Sequence, residues 1–145
     1  MQLSARQRLM APTLVAATGL ALAVPGAASA APKLVTPKAG ATVAIGSQQA
    51  FKVRDGSAAA KKYKVFITIS TSNRTKKNGD LKQTKIGTFA STRRDGNMFT
   101  YTPPPYTFPT WFLARAGTYY WQAFHIDCAV KGCHVHSRIR SFSVQ

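Results

Sequence analysis

No glutamate occurs in this 145-residue chain, and its acidic residues are four aspartates, Asp55, Asp80, Asp95 and Asp127. Hydrolysis by paired carboxylates therefore has little to draw on. Cysteine is as scarce: Cys128 and Cys133 stand alone, and the four residues between them do not match the two-residue gap of redox dithiols. The three histidines, His125, His134 and His136, all fall near the end. No apolar run reaches the roughly 20 residues that a membrane-spanning helix needs. Internal repeats, heptads and signs of a second domain are missing too. What the chain has in excess is positive charge, 20 Lys and Arg giving a formal +16.

Two of those cations, Arg6 and Arg8, precede an alanine-rich apolar run over residues 10–24, which Pro25 and Gly26 break. Ala28, Ser29 and Ala30 then supply the small residues a signal peptidase requires, so residues 1–30 are expected to be a cleavable signal peptide. No cysteine sits at the cut to take a lipid. The mature chain, 31–145, is long enough for one domain with its own core. Its net charge is about +14, the +16 of the whole chain less the two leader arginines. A secreted protein, extracellular or periplasmic, is expected, monomeric and with no transmembrane segment after processing. Such a charge attracts polyanions regardless of sequence. Export removes cytoplasmic nucleic acid from the partners and leaves anionic polysaccharide, cell-envelope polymer, lipid headgroups or extracellular DNA. The plainer role of one-signed charge is solubility.

Short alternating segments dominate the mature chain. Pro32, Pro37 and Gly40 punctuate an opening edge strand, and Phe51 and Val53 share one face of a second. Residues 61–70 are expected to form one strand, with Tyr63, Val65, Ile67 and Ile69 on one face and Lys62, Lys64, Thr68 and Ser70 on the other. A weaker strand is expected over 82–91, around Ile86 and Phe89, and a short one carrying Phe99 and Tyr101 after the Asp95-Gly96 turn. Residues 106–112 hold Phe108, Trp111 and Phe112, either an aromatic platform for sugar rings or rings that close the core.

Leu113 and Tyr119 lie six residues apart, across Gly117-Thr118 and just before a strand-forming run. The spacing resembles the tyrosine corner of β-sandwiches, with Arg115 where fibronectin type III domains have proline and Gly117 where they have threonine. With the closing Arg140-Ser141-Phe142-Ser143-Val144, the chain resembles bacterial secreted fibronectin type III or immunoglobulin-like domains. That resemblance implies an all-β fold, a single antiparallel β-sandwich following the signal peptide. It also implies that the Tyr119 hydroxyl bonds a backbone group just upstream.

In an exported chain, Cys128 and Cys133 are expected to form a disulfide closing a hairpin loop. Direct pairing of the cysteines would set Asp127 opposite His134 and His125 opposite His136. His125, His134 and His136 then share one face with Asp127, a set suited to Zn or Cu(II). Histidines satisfied by backbone groups at the rim are the alternative. Strict alternation also puts Arg138 and Arg140 on the core face beside Tyr119 and Trp121, so a β-bulge is expected in the last strand. Secreted copper-resistance β-sandwich proteins look similar in the spacing of Leu34, Pro37 and Gly40, but they carry an N-terminal histidine where this chain has Ala31.

Lys61, Lys62, Lys64, Arg74, Lys76, Lys77, Lys82 and Lys85 crowd the central hairpin with only Asp80 among them. They are the expected polyanion-binding residues, although lysines on an edge also block strand-to-strand aggregation. Asp127 with His125 or His134 and Ser137 would make a triad by composition, but nothing supplies a nucleophile elbow or oxyanion hole. Asn73-Arg74-Thr75 matches a glycosylation acceptor. The expected function is a non-catalytic binding or structural module for an anionic polymer, needing no cofactor. The alternative is a metal-binding protein using the three histidines.

Overall fold

Strand β8 (Gly117–Ile126) is the longest element among the described residues, 29–103 and 113–145 of a computed structural model, and the centre of the structure. Before it come β1 (Lys33–Thr36), β2 (Thr42–Val43), β3 (Phe51–Arg54), α1 (Ala58–Tyr63), β4 (Phe66–Ser70), β5 (Gly87–Ala90), β6 (Arg93–Asp95) and β7 (Met98–Tyr101). After it come β9 (His134–His136) and β10 (Arg140–Val144). The aromatic segment 106–112 lies outside the described residues, as does the leader up to residue 28.

The strands form two sheets. One has the order β1-β3-β7-β6; the other has β2-β10-β8-β4-β5, with β9 also paired to β8. All pairings are antiparallel except β2 with β10. The fold is therefore all-β, as expected, and the inner faces of the two sheets share one core. Phe51, Val53, Phe99 and Tyr101 come from the first sheet; Ile67, Ile69, Tyr119, Trp121, Phe142 and Val144 come from the second. The Phe51 ring meets Trp121 edge-on at 5.2 Å and Phe142 at 5.8 Å. Each such fully buried side chain contributes about 1.5–3 kcal/mol of transfer free energy.

Tyr119 is buried, and its hydroxyl donates to the Arg115 carbonyl at 2.9 Å, while Leu113 is wholly enclosed. This is the hydrogen bond that the resemblance to a tyrosine corner implies. The turn between β6 and β7 also falls where Asp95-Gly96 places it.

Three expectations need correcting. Residues 61–70 do not form one strand: α1 occupies Ala58–Tyr63, and β4 starts only at Phe66. Three successive alanines favour the helix, Ser57 Oγ accepts from the Ala60 N–H at 3.0 Å, and Lys64 at φ 74° ends it. The strand expected over 82–91 shortens to Gly87–Ala90. The hairpin register also differs by one residue, with Ile126 opposite His134, His125 opposite Val135 and Phe124 opposite His136. Successive turns, Val130 N–H to Asp127 O and Cys133 N–H to Val130 O, set the loop, and Cys133 takes φ 59°. The Cys128–Cys133 disulfide is formed, but its cysteines are offset along the ladder.

The expected bulge lies between β9 and β10. Phe124 pairs with His136, but Trp121 pairs with Arg140, so residues 137–139 span only Gln122 and Ala123. The shift does not carry Arg140 away from Trp121's face. Its guanidinium stays there at the sandwich rim, donating to the Pro37 carbonyl at 3.2 Å.

Candidate functional site

The eight cations expected to form one stripe fall into two groups at opposite ends of β4. Lys61 and Lys62 ride on α1 and Lys64 caps it, all exposed. Arg74, Lys76, Lys77, Lys82 and Lys85 belong to the long connection after β4 and are exposed as well. The five residues of β4 separate the groups by roughly 17 Å at about 3.3 Å per residue. One hairpin face does not unite them.

The helix group has neighbours that sequence proximity does not reveal. Lys61, Lys62 and Lys64 line an open groove together with Arg93 and Arg94 of β6, and no carboxylate lines it. Arg94 Nη1 donates to the Lys61 carbonyl at 3.3 Å, and its guanidinium lies over the Phe99 ring at 5.6 Å, which ties α1 to the sheet edge. The Tyr63 phenol beside Lys62 raises that ammonium above the ordinary lysine value, so it stays charged. The Arg93-Arg94 doublet ahead of Asp95-Gly96 was the available signal for this groove.

The aspartates explain why the cations are unopposed. Asp55 and Asp80 are both buried and both engaged by histidines. Asp55 Oδ2 accepts from His125 Nδ1 at 2.6 Å, while Asp80 lies 3.0 Å from His134 Nδ1 and 3.4 Å from His136 Nε2. Asp127 accepts from the Ala129 N–H within its own loop. Among the described residues, aspartates meet histidine rings in all three such contacts, and no aspartate pairs with Lys or Arg.

The one-residue register difference also separates the histidines. His125 alternates with Tyr119, Trp121 and Ala123 on the core face and is wholly buried. His134 and His136 project from the opposite face, where the His134 ring stacks on Phe124 at 4.4 Å. The three imidazoles expected to bind Zn or Cu do not converge, and the described residues contain no group of three or more His, Cys, Asp or Glu able to hold a metal. His134 and His136 instead close on Asp80 in the 71–86 connection, whose backbone Gln122 pins from β8.

The buried pair extends to a third residue. Ser29 Oγ lies 2.9 Å from His125 Nε2, so both ring nitrogens have a side-chain partner. The connectivity matches a Ser-His-Asp chain. Here, however, the imidazole has no exposure at all, and Ser29 lies on the leader side of the expected cut. The triad suggested by composition does not assemble: Ser137 Oγ accepts from the Ala123 N–H and donates to the Arg138 carbonyl, and Asp127 pairs with no histidine.

Comparison with protein-family models, curated proteins and solved structures gave no match. The functional reading therefore rests on the chain's own geometry. Among the described residues no helix is long and apolar enough to cross a membrane.

Proposed function

We propose that the protein is an exported, non-catalytic binding module with a fibronectin type III-like or immunoglobulin-like sandwich, released from its leader after Ala30, that engages an anionic envelope or extracellular polymer. One observation carries the reading: two of the four aspartates are consumed inside the fold by histidines, and no Lys or Arg has a carboxylate partner among the described residues. A surface so lacking in internal neutralisation holds its charge for an outside counterion, in many weak and salt-screened contacts. The α1–β6 groove, with Lys61, Lys62, Lys64, Arg93 and Arg94, is the proposed contact surface. The lysines and arginine of the 71–86 connection supply long-range attraction.

The test is affinity for a heparin-type glycan and a teichoic-acid-type polymer over a range of salt. Changing Lys61, Lys62 and Lys64 together to Gln should weaken binding and make the salt dependence shallower by about one unit of slope per cation engaged. Unchanged affinity in that variant would remove the groove from the account.

A further inference from the structure

At the other edge of the same sheet lies an arrangement that is costly unless an anion completes it. Lys33 on β1 stands directly opposite Arg54 on β3, both exposed and on the outer face. Like charges placed opposite each other across a ladder destabilise the pairing. Lys52, two residues from Arg54, adds a third cation on that face, roughly 6.7 Å along the strand.

Behind this row sits Arg140. It is half-buried, its guanidinium lies 6.0 Å from the Trp121 ring, and Nη1 donates to the carbonyls of Val35 and Pro37. Five N–H donors serve a guanidinium, so this pinning fixes its direction while leaving donors over. A partly desolvated cation with no carboxylate partner is expensive to keep. Lys33, Lys38, Arg54 and Arg140 surround one shallow hollow, which no Asp lines.

We propose that this β1–β10 hollow is a second anion site, one that takes a phosphate group of a phosphodiester polymer. Arg140 is its pre-oriented anchor, and Lys33, Lys38 and Arg54 are its mobile partners. The inference rests on the polyanion reading above and extends it, because β1 and β6 are the two edges of one four-stranded sheet. Three strand spacings, roughly 14 Å, separate them, and Lys52 and Arg93 stand in one cross-strand row with Thr100 between them. One polymer lying across the outer face thus reaches both the hollow and the α1 groove.

Tripolyphosphate, too short to bridge the edges, is the discriminating probe, used with the full chain in NMR and calorimetric titrations. Shifts are expected at Val35 and Arg140. The variant Lys33→Gln/Arg54→Gln, changed only at exposed positions, should bind the probe at least tenfold more weakly, with the folded spectrum retained. Changing Lys61, Lys62 and Lys64 to Gln should leave those shifts in place. Arg140→Lys, which keeps the charge but loses the fork, should also weaken the probe. A glycerol-phosphate oligomer and a single-stranded oligonucleotide present the same group without and with bases. Equal affinity assigns recognition to the phosphate alone, and preference for the oligonucleotide would overturn it. Polymer binding that persists while tripolyphosphate leaves the hollow unperturbed overturns this site but not the groove. No binding of any anion at low salt overturns both.

Discussion

His125 Nδ1 lies 2.6 Å from Asp55 Oδ2 in a fully buried contact that joins β8 of one sheet to the end of β3 in the other. The second oxygen of Asp55 accepts from the Ser57 N–H, and Ser57 in turn caps α1. One carboxylate therefore couples the core to the helix that carries Lys61 and Lys62.

Removing one member strands the other. Asp55→Ala is expected to cost about 1–3 kcal/mol of folding free energy, since the imidazole Nδ1 and the Ser57 N–H both lose their acceptor. Asp55→Ala/His125→Leu should cost less than the sum of the two single changes, because neither the carboxylate nor the imidazole is then left facing a missing partner. Urea unfolding of the three variants measures this. An Asp55→Ala protein within about 1 kcal/mol of the parent would show that the pair does not hold the sheets together.

Gly79 is a tight point of the 71–86 connection. It has φ +88°, and an added Cβ would meet His136 Cε1 at 2.8 Å. Gly79→Ala should displace the His136 ring, loosen both imidazoles from Asp80 and destabilise by about 1–3 kcal/mol. NMR of the His134 and His136 rings reads the displacement directly; unchanged ring signals would contradict the contact.

Burial pushes the Tyr101 phenol above the ordinary tyrosine value. The unfolded chain then ionises first as pH rises, so the stabilisation is full below the unfolded value near 10 and is lost as pH climbs through the raised folded value. Denaturant midpoints taken across that window should fall more steeply for the parent than for Tyr101→Phe. Parallel curves would rule out a linked contribution from this group.

Much of the fold was legible because strands announce themselves by alternation. Phe51 and Val53, Phe99 and Tyr101, and the Tyr119 corner stand where the pattern puts them. The helix is hidden because the alternation of Val65, Ile67 and Ile69 continues backward to Tyr63, past the alanine run that Ser57 caps. Directly opposed cysteines would put the hairpin one residue away from its register, and one residue reverses every face. The site was less legible. Asp55 and His125 are 70 residues apart, and Arg94 meets Lys61 across 33 residues. Local spacing carries no trace of contacts that only the packing of two sheets creates.

The central claim is that unneutralised surface cations await a polyanion, and its most direct measurement is the affinity of the purified chain for a linear polyanion as salt is raised. The account predicts a steep linear fall of log affinity against log salt, roughly tenfold or more between about 50 and 200 mM. Binding that ignores salt, or no binding at the lowest salt, would contradict it.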